Sequence, residues 1–262
     1  MRISIITINF NNAKGLERTI RSVQEQTYAD IEHIVIDGGS TDGSVDVIKS
    51  LESKIAYWVS EPDKGIYNAM NKGVAQARGE YCLFLNSGDI LANAEALREV
   101  CEENLSSDIV SANLMVDEST TRTNTPPDEV NVSYFFCSSL PHPSTLIKTS
   151  LLKRLPYHED YRIISDWIFF FEALILKNVT YQHIDKFLSI FYTDGISANK
   201  DKAKIEQDRF LKSVTPERLL NDFDKPLVQT YISSLYLPSG YQKICRFVVR
   251  TCQWLHRHGI KI

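Results

Sequence analysis

Apolar runs and helical apolar patterns alternate through the first part of this chain. Four apolar runs, containing many β-branched and aromatic residues, have the length of buried strands; they cover residues 3–10, 31–37, 55–61 and 80–86. Three segments with apolar residues at helical spacing follow the first three runs, and they begin near residues 12, 44 and 65. This alternation predicts a parallel, doubly wound α/β sheet with right-handed crossovers.

The alternation becomes looser after residue 91. The later predicted elements are a helix at 94–104, a strand at 108–116, strands at 142–147 and 179–184 around a helix at 165–176, and mainly helix beyond residue 200. The polar stretch 117–131 contains Pro126-Pro127 and interrupts this series. It is predicted to be a mobile surface loop or an exposed hairpin, and a lid over a cleft is the alternative.

The composition supports a folded chain and argues against one class of partner. The 262 residues are 43% apolar and 24% charged, which provides enough apolar surface for a core. There are 29 Lys and Arg residues against 33 Asp and Glu residues, for a net charge of -4. A protein that binds nucleic acid without sequence preference needs a basic surface, so no nucleic-acid partner is expected.

The cysteines and the first residues suggest a compartment. The five cysteines are odd in number and form no CxxC pair, so neither a zinc cluster nor a disulfide framework is predicted. The apolar run after Met1-Arg2 is too short to span a membrane and lacks the cleavage region of a signal peptide. The cytosol is therefore the expected location.

Polar side chains follow each of the first four predicted strands. They are Asn9, Asn11, Asp37, Glu61, Asp63, Asn86 and Asp89. Ligands of doubly wound sheets bind beyond the carboxyl ends of the strands, so this set predicts a polar cleft. For any one of these residues, ordinary turn chemistry is an equally good explanation.

Three common motifs of α/β enzymes are missing. The turn after the first strand reads NFNNAKG, which lacks the GxGxxG pattern of dinucleotide-binding sites and disfavours a nicotinamide-linked oxidoreductase. The segment from Gly38 to Gly43 is followed by Ser44-Val45 and lacks the lysine of a phosphate-binding P-loop. The GxSxG turn of esterases is also absent.

Three segments in order resemble a known family. ISIITINFNN, VIDGGSTDGS and SEPDKGIYNAMNKGVAQARGEYCLFLNSGD are similar to the N-terminal half of family 2 glycosyltransferases, in the branch of bacterial surface-polysaccharide biosynthesis. The resemblance implies the glycosyltransferase-A fold, an α/β fold with a mostly parallel, doubly wound sheet flanked by helices. It divides the chain into a nucleotide-sugar-binding half at 1–115, an acceptor-binding half of the same domain at 116–198, and a helical C-terminal extension at 199–262.

The resemblance implies a nucleotide-sugar site at the strand ends. The residues expected there are Asn9, Phe10, Asp37, Asp63, Gly65, Asn71 and Asn86. Asn9 and Phe10 match the position that holds the nucleobase and ribose, and Asp37 matches an aspartate that accepts from a base N–H. Asp63 and Gly65 belong to a DxGxxxAxN segment that lines the pocket, although a helix cap and turn would also explain them.

The resemblance also implies a metal ion. Asp89 matches the aspartate that holds Mn²⁺ or Mg²⁺ against the diphosphate, because hard cations prefer oxygen ligands. Gly88 stands where the common pattern has another aspartate, and Asn86 also replaces an acid.

Asp166 is the expected catalytic base, because it matches the aspartate of the family's Glu-Asp motif, with Ser165 in place of the glutamate. A carboxylate is ionised at neutral pH, as a base requires. An N-cap of the following helix is the alternative role for Asp166. His142 and Trp167 are expected in the acceptor site, and a structural hydrogen bond is the alternative for His142.

Together these expectations describe an inverting, metal-dependent glycosyltransferase of the hexosyltransferase type. It would move a sugar from a nucleoside-diphosphate sugar, with UDP as the favoured nucleotide, to a glycan or lipid-linked acceptor. The alternative, motivated by Gly88 and Ser165, is a non-catalytic nucleotide-sugar-binding or scaffold protein on the same fold.

The C-terminal tail from Tyr241 has a basic amphipathic pattern. Apolar residues including Ile244 and Phe247 fall near one helical face, and Lys and Arg residues supply much of the remaining surface. Such a helix either packs on the domain or lies on anionic lipid at the inner face of the cytoplasmic membrane.

Overall fold

The computed structural model of the protein describes residues 1–116, 122–192 and 200–216. The strands in these ranges are β1 Ile3–Asn9, β2 Ile31–Asp37, β3 Tyr57–Ser60, β4 Tyr81–Phe84, β5 Ile90–Leu91, β6 Ile109–Val116, β7 Arg122–Asn124, β8 Thr145–Lys148 and β9 Tyr181–Phe191. The helices are α1 Ala13–Gln24, α2 Ser44–Leu51, α3 Ile66–Gln76, α4 Ala96–Glu102, α5 Val132–Cys137, α6 Thr149–Arg154, α7 Ser165–Phe171 and α8 Lys200–Val214.

The strands form one sheet whose order is β3-β2-β1-β4-β8-β6-β9-β5, with β7 paired to β6. The first four strands of this order are parallel, as the strand–helix alternation predicts. Strand β8 runs antiparallel to both β4 and β6, and β9 runs parallel to β6. The carboxyl ends of β1, β2, β3, β4, β6 and β9 therefore meet at the same edge as the amino end of β8.

Helices cover both faces of the sheet. Ile5 of β1 shares a buried cluster with Val23 of α1, whereas a methyl group on Gly73 of α3 would collide with the side chain of Ile6. Successive residues of a strand point to opposite faces, so α1 and α3 lie on opposite sides of the sheet. Burial of both faces explains why β1 reads as a continuous apolar run rather than an alternating one.

Several element boundaries differ from the sequence prediction. The strand predicted at 142–147 begins at Thr145, because His142–Ser144 form a 3₁₀ turn around Pro143, whose nitrogen cannot donate to a sheet. The helix predicted at 165–176 is α7 followed by a π-helical turn at Glu172–Leu176. Within the polar stretch 117–131, the pairing of β7 with β6 agrees with the hairpin alternative.

The chain divides into two compact units. One contains residues 1–130 and 140–203, and it holds the sheet and every residue of the site considered below. The described part of the other contains residues 131–139 and 204–216. In that unit Asn131 caps α5 by accepting from the backbone N–H of Tyr134. The boundaries predicted after residues 115 and 198 remain predictions.

No helix in the described ranges is long and apolar enough to cross a membrane. The predicted amphipathic helix from Tyr241 lies outside the described residues, and so do residues 117–121 of the proposed lid.

Candidate functional site

The polar residues predicted to line a cleft gather at the edge where the parallel strands end. Asn9 ends β1 and pairs in register with Asp37, which ends β2, and Asp37 pairs with Ser60, which ends β3. The backbone of Ser87 bonds to Ile8 of β1, which brings the residues after β4 to the same place. Parallel register, rather than any single motif, assembles this edge.

Asp37 connects three of these strand ends. Its buried carboxylate accepts from Asn9 Nδ2 at 2.7 Å, from the hydroxyl and N–H of Ser40 at 2.6 and 2.9 Å, and from the hydroxyl of Ser60 at 2.6 Å. Burial raises the pKa of Asp37, but the hydrogen bonds outweigh burial and hold the pKa below its ordinary value of 3.8. A nucleobase N–H could bond to this carboxylate only by replacing one of the present donors.

Phe10, Gly38 and Asp63 form an adjoining group. The ring of Phe10 is 64% exposed, which is unusual for a large apolar side chain directly after a buried strand. A methyl group on Gly38 would lie 3.2 Å from Phe10 Cδ2 and 2.6 Å from Asp63 Oδ2, so the two side chains flank this glycine. An exposed aromatic ring beside a carboxylate is a surface on which a flat polar ring can stack.

The turn before α3 begins next to this group. Asp63 Oδ1 accepts from the N–H of Gly65 at 2.8 Å, and Gly65 is the N-cap of α3 with a φ of 122°. Asp63 therefore holds the turn but is not the helix cap. Because the cap residue is a glycine, it has no side chain with which to bond the first N–H groups of α3.

The turn at residues 86–89, called the NSGD turn below, is held by α1. The hydroxyl of Thr19 donates to the carbonyl of Asp89 at 2.7 Å and accepts from the N–H of Gly88 at 3.0 Å. Arg18 donates through Nη2 to the carbonyl of Gly88. Gly88 has a φ of 114°, a backbone conformation that residues other than glycine adopt only with strain. The turn geometry thus explains a glycine where the common pattern has an aspartate.

Asn12 links the start of α1 to the same turn. Its Oδ1 accepts from the N–H of Gly15 at 3.1 Å and caps α1. Its Nδ2 donates to the carbonyl of Ser87 at 3.0 Å. One side chain therefore connects the helix cap to the predicted metal-binding turn.

The NSGD turn offers oxygen atoms that suit a hard cation. Asp89 is 6% exposed, and Asn86 Oδ1 is buried without a hydrogen-bond partner in the described part of the chain. Across those same residues, no group of three or more His, Cys, Asp or Glu side chains could hold a metal ion. The turn fits Mn²⁺ or Mg²⁺ bound through one carboxylate and completed by substrate phosphates and water, which is how Mg²⁺ usually binds.

Asp166 lies in the first turn of α7 and is partly exposed. Its Oδ1 accepts from the hydroxyl of Tyr67 at 2.8 Å, and the same hydroxyl lies 2.7 Å from the carbonyl of Ile163. The N-cap of α7 is Ile164, so the alternative role of Asp166 as an N-cap is wrong. Tyr67 brings the predicted base to the start of α3, beside the predicted nucleotide-sugar residues.

Asn71, predicted to line the nucleotide pocket, uses its amide on the segment that leads to Asp166. Its Oδ1 accepts from the N–H of Tyr157 at 3.0 Å, and its Nδ2 donates to the carbonyl of Tyr157 at 2.9 Å and to Glu159 at 3.0 Å. Asn68 donates to the other oxygen of Glu159. This face of α3 therefore holds the segment that precedes Asp166 in place.

His142 lies in a buried aromatic cluster. Its ring stacks on Phe84 with centroids 4.8 Å apart, and Phe170 meets it edge-on. Its Nε2 is 2.8 Å from the hydroxyl of Tyr157, which is the structural hydrogen bond considered above. Burial lowers the pKa of His142, and the negative charge of Asp166 acts in the opposite direction.

The residues on either side of Asp166 in the chain are both buried. Trp167 is 7% exposed, and its ring stacks on Phe171 with centroids 5.2 Å apart. Ser165 is fully buried, and within the described residues its hydroxyl has no hydrogen-bond partner.

Sequence reasoning did not identify several residues that hold the site together. They are Ser40, Ser60, Arg18, Thr19, Tyr67 and Tyr157. The GGSTDGS segment contained a signal for Ser40, since small polar residues after a buried strand often bond to the strand end. The other contacts join residues that are distant in sequence, and no local pattern marks them.

Comparison with known proteins identifies the family. The family model described as glycosyl transferase family 2 matches residues 4–175. A Mycobacterium tuberculosis protein described as an uncharacterized glycosyltransferase is 33% identical over 217 residues, which cover 79% of this chain and 80% of that relative. A Mycobacterium bovis protein described as a PGL/p-HBAD biosynthesis glycosyltransferase is 30% identical over 173 residues, covering 63% of this chain and 67% of that relative.

Solved structures show the same fold. The crystal structure of residues 1–349 of S. aureus TarS with UDP-GlcNAc has a TM-score of 0.65 at 19% identity, and the match covers 92% of this chain and 78% of that one. The mannosyltransferase PcManGT from Pyrobaculum calidifontis, in complex with GDP-Man and Mn²⁺, has a TM-score of 0.59 at 16% identity, covering 80% and 61%.

These findings confirm the glycosyltransferase-A fold and the resemblance seen in the sequence. The chain belongs to glycosyl transferase family 2 and is a glycosyltransferase enzyme.

Proposed function

We propose that this enzyme is an inverting, metal-dependent glycosyltransferase. It moves a sugar from a nucleoside-diphosphate sugar to a glycan or lipid-linked acceptor in the synthesis of a bacterial surface polysaccharide or glycolipid. The observation that carries this proposal is the contact between Tyr67 and Asp166. This contact joins a partly exposed carboxylate to the first turn of α3, the helix that carries Gly65 and Asn71 of the proposed nucleotide-sugar residues.

Asp166 is the proposed catalytic base. Its Oδ2 has no hydrogen-bond donor among the described residues, which leaves that oxygen to accept the proton of an acceptor hydroxyl. The hydroxyl oxygen then attacks the anomeric carbon while the bond to the nucleoside diphosphate breaks. A single displacement inverts the anomeric centre, because no covalent glycosyl intermediate intervenes.

Phe10, Gly38 and Asp63 are proposed to hold the base and ribose, with Asn9 and Asp37 supporting the strand ends behind them. Gly65 is proposed to turn the start of α3 toward the diphosphate, and Asn71 is proposed to support that helix through its hydrogen bonds to Tyr157. UDP is the proposed nucleotide, supported by the TarS complex with UDP-GlcNAc.

The divalent ion is proposed to bind Asp89, with Asn86 as the neighbouring oxygen donor. Bound there, Mn²⁺ or Mg²⁺ would neutralise charge on the departing diphosphate. The Mn²⁺ in the PcManGT complex supports divalent metal use on this fold. The non-catalytic alternative was based partly on Gly88, and the φ of Gly88 weakens that basis because the turn itself requires a glycine there.

An acceptor in glycolipid synthesis is supported by the description of the Mycobacterium bovis relative. His142 and Trp167 are the proposed acceptor-side residues, because His142 interacts with the charge of Asp166 and Trp167 follows Asp166 in α7. Cytoplasmic location and a membrane-surface contact through the C-terminal helix belong to the same proposal. Liposome co-sedimentation of full-length and truncated protein tests the membrane contact, and equal binding would contradict it.

The test of the function has two stages. Thermal shifts with a panel of nucleotide sugars, with and without Mn²⁺, identify the nucleotide sugar that stabilises the enzyme. Hydrolysis and transfer of that compound are then measured for the wild type and for Asp166→Asn. Loss of transfer with unchanged nucleotide affinity is expected for Asp166→Asn.

Asp46→Asn is the matched control, because Asp46 is an exposed acid in the first turn of α2, as Asp166 is an acid in the first turn of α7. This control should transfer at the wild-type rate. Near-normal transfer by Asp166→Asn would overturn its assignment as the base.

A further inference from the structure

We infer that Tyr67 is a positioning residue for the reaction, and that it holds the carboxylate of Asp166 through a hydroxyl that can turn to a second acceptor when Asp166 takes up a proton. This inference rests on the proposed role of Asp166 as the base. It gives Tyr67, the tyrosine of the DKGIYNAMN segment, a role that requires no contact with the nucleotide sugar.

The hydroxyl of Tyr67 can donate to only one acceptor at a time. It has one hydrogen to donate, yet two oxygen acceptors lie within bonding distance: Asp166 Oδ1 at 2.8 Å and the carbonyl of Ile163 at 2.7 Å. Before reaction the charged carboxylate is the stronger acceptor, because hydrogen bonds to ionised groups are stronger than those between neutral groups. The bond fixes Oδ1 and leaves Oδ2 to face the acceptor hydroxyl.

The balance between the two acceptors changes when the proton moves. The acceptor hydroxyl gives its proton to Oδ2, and its oxygen keeps the electron pair with which it attacks the anomeric carbon. Asp166 is then neutral and accepts less strongly, and the Tyr67 hydrogen can rotate to the carbonyl of Ile163. The buried hydroxyl keeps a partner before and after the step, so no unsatisfied donor opposes proton transfer.

Tyr67 remains a donor throughout the working pH range. Burial, followed by the negative charge of Asp166, raises the pKa of Tyr67 well above its ordinary value of 10.0. The other titratable groups that interact with Asp166 among the described residues are His142 and Tyr157. Burial lowers the pKa of His142 and raises that of Tyr157.

The ring of Tyr67 is itself held firmly. It is 5% exposed, and its centroid lies 5.7 Å from that of Tyr157. The backbone of Tyr157 is in turn fixed by the side-chain amide of Asn71, one turn further along α3, which donates to its carbonyl and accepts from its N–H. Because Tyr67 and Gly65 are two residues apart at the start of α3, the element that would meet the diphosphate also orients the base.

The test compares Tyr67→Phe with Tyr81→Phe. Both variants keep a buried ring and remove one hydroxyl that lies 2.7 Å from a backbone carbonyl, which is that of Ile163 for Tyr67 and that of Ser107 for Tyr81 at the amino end of β4. Measured for each are thermal stability, nucleotide affinity, kcat, KM for the acceptor, and the pH profile of kcat/KM.

Tyr67→Phe is expected to lower kcat about tenfold to a hundredfold, which is the range that misplaced catalytic groups produce. Its nucleotide affinity should stay unchanged. The acid limb of its pH profile should move to higher pH, because the ionised carboxylate loses a stabilising hydrogen bond. Tyr81→Phe should show the wild-type kcat and pH profile.

The outcomes separate the inference from the function on which it rests. If Asp166→Asn abolishes transfer but Tyr67→Phe keeps the wild-type kcat and acid limb, the positioning role is wrong and the base assignment stands. If Tyr67→Phe and Tyr81→Phe lose kcat equally with unmoved profiles, the effect is structural and the inference is overturned. If Asp166→Asn remains active, the proposed function fails first.

Discussion

Replacement of Gly38 by alanine would place a methyl group between Phe10 and Asp63, the two side chains proposed to hold the nucleotide. The φ of Gly38 lies outside the left-handed region, so the backbone accepts alanine without strain. The new Cβ, however, would lie 2.6 Å from Asp63 Oδ2 and 3.2 Å from Phe10 Cδ2. The perturbation therefore falls on the proposed binding surface and leaves the fold largely intact.

The loss of nucleotide affinity can be estimated from how far Asp63 and Phe10 must move. Ordinary contact begins near 3.4 Å, so Asp63 Oδ2 must retreat by about 0.8 Å. That shift weakens the 2.8 Å bond from Gly65 to Asp63 Oδ1, a contribution of about 1 kcal/mol. With the smaller displacement of Phe10, a total of about 1–2 kcal/mol raises the Kd for the nucleotide roughly 5- to 30-fold.

The assay is calorimetric or fluorescence titration of the purified enzyme with UDP and UDP-sugars, with a melting curve for each variant. Gly43→Ala is the control, because alanine at Gly38 meets side chains without backbone strain, whereas alanine at Gly43 strains the backbone without meeting side chains. Gly43 has a φ of 94° and no neighbouring atom within 4 Å of an added Cβ. Alanine there should lower stability by about 1–3 kcal/mol through backbone strain and leave the Kd unchanged.

A Gly38→Ala enzyme that binds UDP as tightly as the wild type would show that Phe10 and Asp63 do not hold the nucleotide, because the added methyl group displaces both side chains. Equal weakening by Gly38→Ala and Gly43→Ala would contradict the same assignment, since the second change touches no proposed binding residue.

Three further predictions follow from the same edge of the sheet. Asp89→Ala should keep the thermal shift caused by UDP and lose the additional shift caused by Mn²⁺; an unchanged response to Mn²⁺ would count against Asp89 as the ligand. Asn12→Ala should destabilise the enzyme by about 1–2 kcal/mol, whereas Asn12→Asp should keep the cap of α1 and lose only the bond to Ser87; equal losses would contradict the cap. Asp37→Asn should cost about 1–3 kcal/mol near neutral pH, because it sets amide hydrogens against Asn9 and Ser40. The pKa of Asp37 in the folded protein is lower than its ordinary value of 3.8, so the extra stability of the wild type over Asp37→Asn is present above pH 4 and is lost as the pH falls through the folded pKa. A stability difference between the two proteins that stays constant in acid would exclude this linkage.

Short-range patterns were enough to predict much of the fold. The apolar run of β1 and the helical spacing of α1 predict two elements directly, because buried strands and amphipathic helices each impose a local period. The cap at Asn12 is likewise local, since it reaches only three residues ahead. The antiparallel position of β8 was not predictable, because strand order depends on contacts between distant segments.

The candidate site shows the same division. Local patterns along the chain predict which residues end the parallel strands, and so which side chains can meet at one edge, because the strand–helix alternation makes those strands run in one direction. Which partners those side chains bond to depends on how distant segments pack together. Asn71, expected in the nucleotide pocket, bonds to Tyr157, and Tyr67, which no motif singled out, bonds to the proposed base. Hydrogen bonds across such separations depend on packing to within an ångström, and no pattern along the chain records them.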